Sequence, residues 1–210
     1  MADDKLVHVV DDDADVRASL SFLLGGAGYE VQSYPSGEVF VAALPELAPG
    51  CLLLDMRMPG LDGFGVLEAL SEQKADIPAV VLTGHGDIPQ AVRAMKAGAV
   101  DFLEKPYERA ALLKVVERAC ALRKPQVQTD HDDGPARQIA ALSVRERQVL
   151  QGLVAGLPNK SIAYDLKISP RTVEIHRAHM MEKLGVRALA DALRIAFAAG
   201  LPPLGDGDPG

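Results

Sequence analysis

The sequence predicts an α/β domain over residues 1–124, followed by a small all-α domain over residues 142–200. In the first part of the chain, short aliphatic runs alternate with amphipathic stretches, which is typical of repeated βα units. Residues 125–141 are polar, acidic and interrupted by Pro and Gly, so they are predicted to be an interdomain linker. The stretch beyond them has helical periodicity and no strand-like run.

Five runs predict the strands of the first domain, and the segments that follow them predict helices. The runs are LVHVV (6–10), YEVQS (29–33), CLLL (51–54), IPAVVL (77–82) and AVDFL (99–103). This alternation favours a mostly parallel sheet with helices on both faces. We therefore expect a doubly wound, flavodoxin-like domain with strand order 2-1-3-4-5.

The second domain is predicted to contain four helices, separated by breaks at Gly156-Leu157-Pro158, Ile168-Ser169-Pro170 and Gly185-Val186. Ser143 and Glu146 form the S-x-x-E pattern of a capping box, and Asn159 is the expected cap of the next helix. Ser169 followed by Pro170 predicts the start of the third. The tail, residues 201–210, is expected to be disordered.

Charge is distributed unevenly along the chain, whose net charge is −7. Residues 1–124 carry 12 Lys and Arg against 19 Asp and Glu, whereas residues 142–200 carry nine against five. A basic module behind an acidic one indicates a nucleic-acid surface in the second domain. Cys51 and Cys120 lie in apolar stretches and are typical of reduced core residues. With no signal-peptide pattern and no long apolar segment, a cytoplasmic protein without membrane contact is expected.

Polar side chains follow the strands at their carboxyl ends. Asp11 and Asp12 follow the first strand, Asp55 the third, Thr83 the fourth and Lys105 the fifth. In a doubly wound sheet this edge is where ligands bind. Each residue alone is weak evidence, since Asp11 to Asp13 could be a solvated turn and Thr83 an ordinary strand end. Suitable polar residues at four strand ends together are much stronger evidence for one binding site.

Clustered carboxylates with open positions suit a hydrated Mg²⁺ ion. A carboxylate can act as a nucleophile towards phosphorus, while the metal and Lys105 neutralise charge on the phosphoryl oxygens. The Thr83 hydroxyl can hydrogen-bond a phosphoryl oxygen and so report its presence. The sequence thus predicts a phosphoryl site.

The segments VVDDD, LLLDMRMPGLDG, VVLTGHGD and DFLEKP resemble the signatures of response-regulator receiver domains, and TGHGDIPQAVRAMKAGAVDFLEKP resembles the FixJ-type branch. The resemblance implies that Asp55 is the phosphoacceptor, with a sensor histidine kinase as its phosphodonor. It also implies that the Arg57 backbone carbonyl binds Mg²⁺ and that the Lys105–Pro106 bond is cis. Phe102 occupies the switch aromatic position, and the surface of the fourth helix and fifth strand is expected to dimerise.

In the second domain, two helices separated by a tight break predict a helix-turn-helix motif. The second helix of this motif is the third helix of the domain, and it is expected to read the major groove of double-stranded DNA. At about 100° per residue, one side of this helix should pack and the other should face out. The packing side holds Val173, Arg177, Met180 and Leu184; the base-reading side holds Arg171, Glu174, Ile175 and Ala178. Contacts with DNA phosphates are expected from Lys160, Thr172, His179 and Lys183.

LSVRERQVL, GLPNKSIAYDL, ISPRTVEIH and MEKLGV resemble the LuxR-type DNA-binding domain. We expect a homodimer on phosphorylation, so that two reader helices meet paired half-sites. The last helix, through Leu189, Ala192, Leu193 and Ala196, is predicted to complete the pairing. RNA polymerase is a further candidate partner.

Two other classes of function remain open from the residues. An aspartate-nucleophile phosphatase also uses Asp, Thr and Lys, but its nucleophile lies in a D-x-D motif after the first strand, whereas Asp11 and Asp12 are adjacent. An adaptor would pass phosphate onward or bind only protein. The expected function is instead a non-enzymatic, phosphorylation-controlled DNA-binding transcriptional regulator of a two-component system.

Overall fold

The strands of the first unit, which corresponds to the first predicted domain, form one five-stranded parallel sheet. The computed structural model describes residues 5–84, 88–122 and 134–204, and the sheet order within them is β2-β1-β3-β4-β5. The strands are β1 Leu6–Val10, β2 Glu30–Tyr34, β3 Cys51–Asp55, β4 Ala79–Thr83 and β5 Asp101–Glu104. The predicted α/β class and strand order are confirmed, although the second, fourth and fifth strands begin slightly later than the sequence pattern suggested.

In the described residues, an α-helix follows each of these strands: α1 Ala14–Gly25, α2 Gly37–Ala43, α3 Gly63–Glu72, α4 Ile88–Lys96 and α5 Arg109–Leu122. The Asp13 side chain accepts hydrogen bonds from the backbone N–H groups of Asp15 and Val16 and so caps α1. Ser36 caps α2 and Asp62 caps α3 in the same way. The third aspartate of the run 11–13 therefore has a structural role.

The core of the first unit lies on both faces of the sheet. Every residue of β1, β3 and β4 is buried, as expected for strands covered by helices on both sides. On one face, Val9, Leu53 and Leu82 pack with side chains of α1 and α5 such as Leu24 and Leu112. This packing fixes the carboxyl ends of the strands, from which the candidate site is built.

The regular elements that the structure describes over residues 134–204 are all helices: α6 Gly134–Ala140, α7 Val144–Val154, α8 Asn159–Leu166, α9 Pro170–Lys183 and α10 Leu189–Ala198. Helix α9 packs on α7 and α8, and α10 packs on α6 and α7. The predicted helix-turn-helix is α8, a turn that starts at the left-handed residue Lys167, and α9. Across the described ranges of both units, helices long and apolar enough to cross a membrane are absent.

The structure confirms some of the predicted helix caps and segment boundaries and differs from others. The Ser143–Glu146 capping box and the Ser169 cap are confirmed. Pro158, however, holds the cap position of α8, and the buried Oδ1 of Asn159 has no hydrogen-bond partner within the described part of the chain. Helix α6 occupies the second half of the predicted linker. Residues 201–204 of the predicted disordered tail are described, with the Leu204 N–H donating to the Gln151 carbonyl. Residues 123–133 and 205–210 lie outside the described residues.

Candidate functional sites

The residues at the strand ends meet at one edge of the sheet. The strands β1, β3, β4 and β5 are consecutive neighbours in it, and Lys105 follows the last of them. The Lys105 Nζ donates to Asp55 Oδ1 at 2.6 Å and to Asp11 Oδ2 at 3.1 Å. Of the three carboxylates that were predicted to converge, Asp11 and Asp55 therefore meet at Lys105, whereas the described residues contain no group of three metal-binding side chains that would include Asp12.

The second oxygen of Asp55 is held by the loop that follows β3. The backbone N–H of Arg57 donates to Asp55 Oδ2 at 2.8 Å. A Cβ on Gly63 would lie 2.8 Å from the Asp55 carbonyl oxygen, so only glycine lets this loop fold back so closely. Asp55 is 8% exposed, and its carboxylate is oriented by one contact on each oxygen.

The first acidic pair divides into a buried and an exposed member. Asp11 is buried, and its Oδ1 accepts from the Asp13 N–H at 3.0 Å, whereas the Asp12 side chain is exposed. Arg17 Nη1 donates to the carbonyl oxygens of Asp11 at 2.7 Å and of Asp12 at 2.9 Å. The sequence analysis did not identify Arg17, which holds this loop through backbone acceptors that leave no side-chain pattern.

Thr83 presents a buried hydroxyl that has no hydrogen-bond partner among the described residues. The residue is 1% exposed, and its Oγ1 forms no hydrogen bond within them. Phe102 lies opposite Val81 in the β4–β5 register. Because side chains alternate along a strand, Thr83 and Phe102 lie on the same face of the sheet. Buried hydroxyls are nearly always paired, so this one is available for an acceptor that the described residues do not supply.

The charge state of Lys105 follows from its two neighbours. Burial would lower the pKa of the ammonium group, but hydrogen bonds and charge from Asp55 and then Asp11 raise the pKa above its ordinary value. Tyr107 lies nearby, and burial raises the pKa of its hydroxyl. The Lys105–Pro106 peptide bond is cis, as the family resemblance implied. Lys105 is thus a permanent positive charge between two carboxylates.

The donor set fits a hydrated Mg²⁺ ion better than a metal enclosed by protein ligands. Within the ranges that the structure describes, no three His, Cys, Asp or Glu side chains are grouped to hold a metal. Asp11 and Asp55 are close enough to share one ammonium group, and the Arg57 backbone lies beside Asp55. Mg²⁺ often takes one or two carboxylates and keeps several waters, so these residues suffice.

The exposed face of α9 has the predicted composition. Arg171, Glu174, Ile175 and Ala178 are exposed, and Ile175 retains 48% of its accessible area. On the packing side Val173, Met180 and Leu184 are buried, whereas Arg177 is only half-buried. The structure therefore confirms the exposure of the four residues expected to read bases.

The four residues expected to contact phosphates have different environments. Lys160 and His179 are exposed. Thr172 Oγ1 lies 2.8 Å from Ser169 Oγ at the start of α9, and Lys183 Nζ donates to Glu146 Oε2 at 2.7 Å. Lys183 therefore has a structural partner that competes with phosphate.

The four residues of the predicted dimer face of α10 are buried within their own domain. Leu189, Ala192, Leu193 and Ala196 are 8%, 0%, 0% and 0% exposed, because α10 packs on α6 and α7. Residues 134–140 were predicted to be linker, and α6, which they form, supplies part of this cover. This burial argues against direct pairing through these side chains.

Tyr164 was not identified from the sequence. It is 85% exposed on α8 and lies one turn after Lys160, so both residues share a face. In a helix-turn-helix the first helix crosses the DNA backbone, and tyrosine hydroxyls donate to phosphates. The four-residue spacing of an exposed lysine and tyrosine is a signal that could have been found in the sequence.

Comparison with known proteins gives matches to both units. The model of the response regulator receiver domain matches residues 7–117, and that of the bacterial regulatory proteins of the luxR family matches residues 140–196. Transcriptional regulatory protein FixJ of Rhizobium meliloti (strain 1021) is 48% identical over 201 residues, covering 95% of this chain and 98% of that protein. Response regulator protein TodT of Pseudomonas putida is 38% identical, covering 90% and 84%. A crystal structure of full-length FixJ from B. japonicum is 45% identical, covers 93% and 97%, and has a TM-score of 0.57.

Proposed function

Because the chain belongs to the two-component response regulators that join a receiver domain to a LuxR-type DNA-binding domain, we propose that Asp55 is its phosphoacceptor. These proteins are phosphorylation-controlled transcriptional regulators. The observation that supports Asp55 is the orientation of its carboxylate by Lys105 Nζ on one oxygen and the Arg57 N–H on the other. We expect the donor to be a phosphohistidine of a sensor histidine kinase.

The proposed transfer uses few protein groups. A carboxylate oxygen of Asp55 forms a bond to phosphorus while the bond from phosphorus to the donor nitrogen breaks. Lys105, held in its charged form, balances the negative charge on the phosphoryl oxygens. Asp11, Asp12, Asp55 and the Arg57 carbonyl are the residues that would hold Mg²⁺, which when bound neutralises phosphoryl charge.

Thr83 and Phe102 are the proposed switch. A phosphoryl group on Asp55 supplies acceptor oxygens to the end of the neighbouring strand β4, and the unpartnered Thr83 hydroxyl can donate to one of them. If Thr83 shifts, the space available to the Phe102 side chain on the same face of the sheet changes. The surface of α4 and β5 would then pair two chains, as the family resemblance implies.

The proposed DNA interface is centred on α9. Arg171, Glu174, Ile175 and Ala178 would read bases. Lys160, Thr172, His179 and Lys183 would contact phosphates, together with Tyr164. A homodimer would place two copies of α9 on paired half-sites of double-stranded DNA, and RNA polymerase is a candidate partner at the bound promoter.

The phosphoacceptor is tested by labelling with a small phosphodonor and Mg²⁺. Wild type should gain one phosphoryl group in intact-mass analysis, and Asp55→Asn should gain none. Asp13→Asn is the matched control, since Asn caps α1 as well as Asp does and labelling should persist. Undiminished labelling of Asp55→Asn, or a rate unaffected by chelation of divalent ions, would show that the site is misassigned. Continuous turnover of a phosphate ester would instead favour the phosphatase alternative.

A further inference from the structure

The two cysteines of the chain are in direct contact, although 69 positions separate them. Cys51 is the first residue of β3 and Cys120 lies near the end of α5. The Cys120 thiol donates to Cys51 Sγ at a distance of 3.1 Å. The phosphoryl chemistry proposed above uses neither sulfur, because both are remote from the carboxyl edge of the sheet that holds Asp55.

The packing of the core holds the sulfurs together. Cys51, Cys120 and Ala119 belong to the buried cluster that α5 forms with the sheet, and Leu24 of α1 packs in the same cluster. Cys51 is fully buried and Cys120 is 7% exposed. Since both backbones lie in regular elements of this core, the two thiols cannot move apart without disturbing it.

We propose that Cys51 and Cys120 are a redox-sensitive thiol pair that a peroxide converts into an intramolecular disulfide. The first sulfur, after losing its proton, attacks a peroxide oxygen; the O–O bond breaks, leaving a sulfenic acid and one water. The second sulfur then attacks the sulfenic sulfur and displaces the second water. Two thiols are thereby oxidised and one hydrogen peroxide is reduced, and the sulfurs need to approach by only about 1 Å to reach the S–S bond length.

Tyr29 is half-buried and packs against the same cluster. The Lys5 ammonium lies 5.9 Å from the centre of its ring. Of the two thiols, only that of Cys120 belongs to a residue that retains some exposed surface, so Cys120 is the one that a small oxidant meets first.

The disulfide would connect β3 to α5 across a long loop. Closing a long loop restricts the unfolded chain, so the oxidised receiver domain should unfold at a higher urea concentration than the reduced one. Asp55 lies at the opposite end of β3 from Cys51, so labelling by a phosphodonor should be unchanged. The redox response is thus separable from phosphorylation, and its test does not depend on the assignment of Asp55.

The test exposes the full chain to hydrogen peroxide, unfolds it, and alkylates the remaining thiols before intact-mass analysis. Wild type should lose both thiols together as a monomer, regain both with a reductant, and give one peptide pair linking Cys51 to Cys120. Cys51→Ala and Cys120→Ala are matched variants in which no internal disulfide can form, so the remaining thiol should stop at the sulfenic acid or stay reduced.

Two results would overturn the proposal. These are retention of both thiols in wild type and linkage between chains in place of the internal disulfide. Peptide mapping of wild type decides the question even if an alanine variant folds poorly.

Discussion

The unpaired hydroxyl of Thr83 is more informative than its position alone. A buried donor without a partner lowers stability by about 1–3 kcal/mol relative to a paired one. Its Oγ1 lies at the end of β4, beside the strand that carries Asp55. We interpret this loss of stability as a consequence of keeping the Thr83 hydroxyl free to bind a phosphoryl group on Asp55.

Replacing Thr83 with Ala should therefore separate stability from switching. Thr83→Ala removes an unsatisfied group, so the free energy of unfolding should not fall, and Asp55 should still be labelled. The gain in DNA affinity that follows labelling should be lost, because no hydroxyl reports the phosphate. Gel-shift titration with and without phosphodonor measures this, and Thr83→Ser, which keeps the hydroxyl, should retain the gain. An undiminished gain in Thr83→Ala would exclude Thr83 as the switch.

Glu146 is a second buried polar residue, and its carboxylate has two hydrogen-bond donors. Its carboxylate accepts from Lys183 Nζ and from the Ser143 N–H, each at 2.7 Å. Burial would raise the pKa of Glu146, but these hydrogen bonds and the charge of Lys183 outweigh it and lower the pKa to about 2. The pair joins the start of α7 to the last turn of α9.

The lowered pKa predicts a pH-dependent loss of stability. A depressed pKa means that the ionised form stabilises the fold above the ordinary value of 4.5, and that this stabilisation is lost as pH falls through about 2. Glu146→Gln preserves the capping pattern but removes the charge, so α7 and α9 should be destabilised by about 1 kcal/mol at neutral pH. Amide hydrogen exchange of α7 and α9 should be measured for wild type and Glu146→Gln at the same pH. The two proteins should differ at pH 6, and the difference should shrink below pH 4. An equal difference at every pH would contradict the ionic contribution.

At the level of single residues, the sequence predicted the reactive groups but not their environments. Asp11, Asp55 and Lys105 were identifiable because parallel strands end at a common edge. The separate roles of Asp12 and Asp13 were not, since exposure and capping depend on how the loop after β1 turns. Arg17 binds only backbone carbonyls, a role that no side-chain pattern records.

At the level of elements, periodicity predicted which helices form but not what covers them. The first-unit strands and α9 were found because each has a strong pattern and well-marked ends. Helix α6 is short, and its first residues are Gly134 and Pro135, so it resembled linker. Because α6 was not predicted, its packing against α10, whose residues Leu193 and Ala196 are buried, was not predicted either.

The exposed face of α9 should set sequence preference, whereas α8 should mainly set affinity. A Glu174→Ala, Ile175→Ala double variant should select different sites from random DNA, with a loss of about 1–3 kcal/mol at the original site. Lys160→Gln should weaken binding to all sequences alike and reduce the salt slope by about one unit. Tyr164→Phe, which removes only the hydroxyl, should act in the same direction as Lys160→Gln. Selection of the same sites by the double variant and wild type would exclude this face as the reader.

At the level of the whole molecule, the charge distribution matches the different functions expected of the two domains. The acidic first domain contains the carboxylates of the proposed phosphoryl site, and the second carries an excess of Lys and Arg. Net acidity would suggest weak DNA affinity for an undivided chain, but attraction to phosphates depends on the local surface. Phosphorylation adds further negative charge to the first domain only, so its effect on DNA binding must be conformational or oligomeric and not a direct attraction.

Phosphorylation should therefore tighten specific DNA binding while it increases self-association. A conformational bias of 1–3 kcal/mol corresponds to an affinity gain of about five- to 150-fold. Titration of one selected operator with full-length wild type, with and without phosphodonor, measures the gain, and sedimentation of the same samples measures the dimer. Asp55→Asn should show neither change, and Asp13→Asn should show both. Equal affinity of the two wild-type forms would contradict control by phosphate, whereas tighter binding by a chain that stays monomeric would place the control in the accessibility of α9 and not in dimerisation.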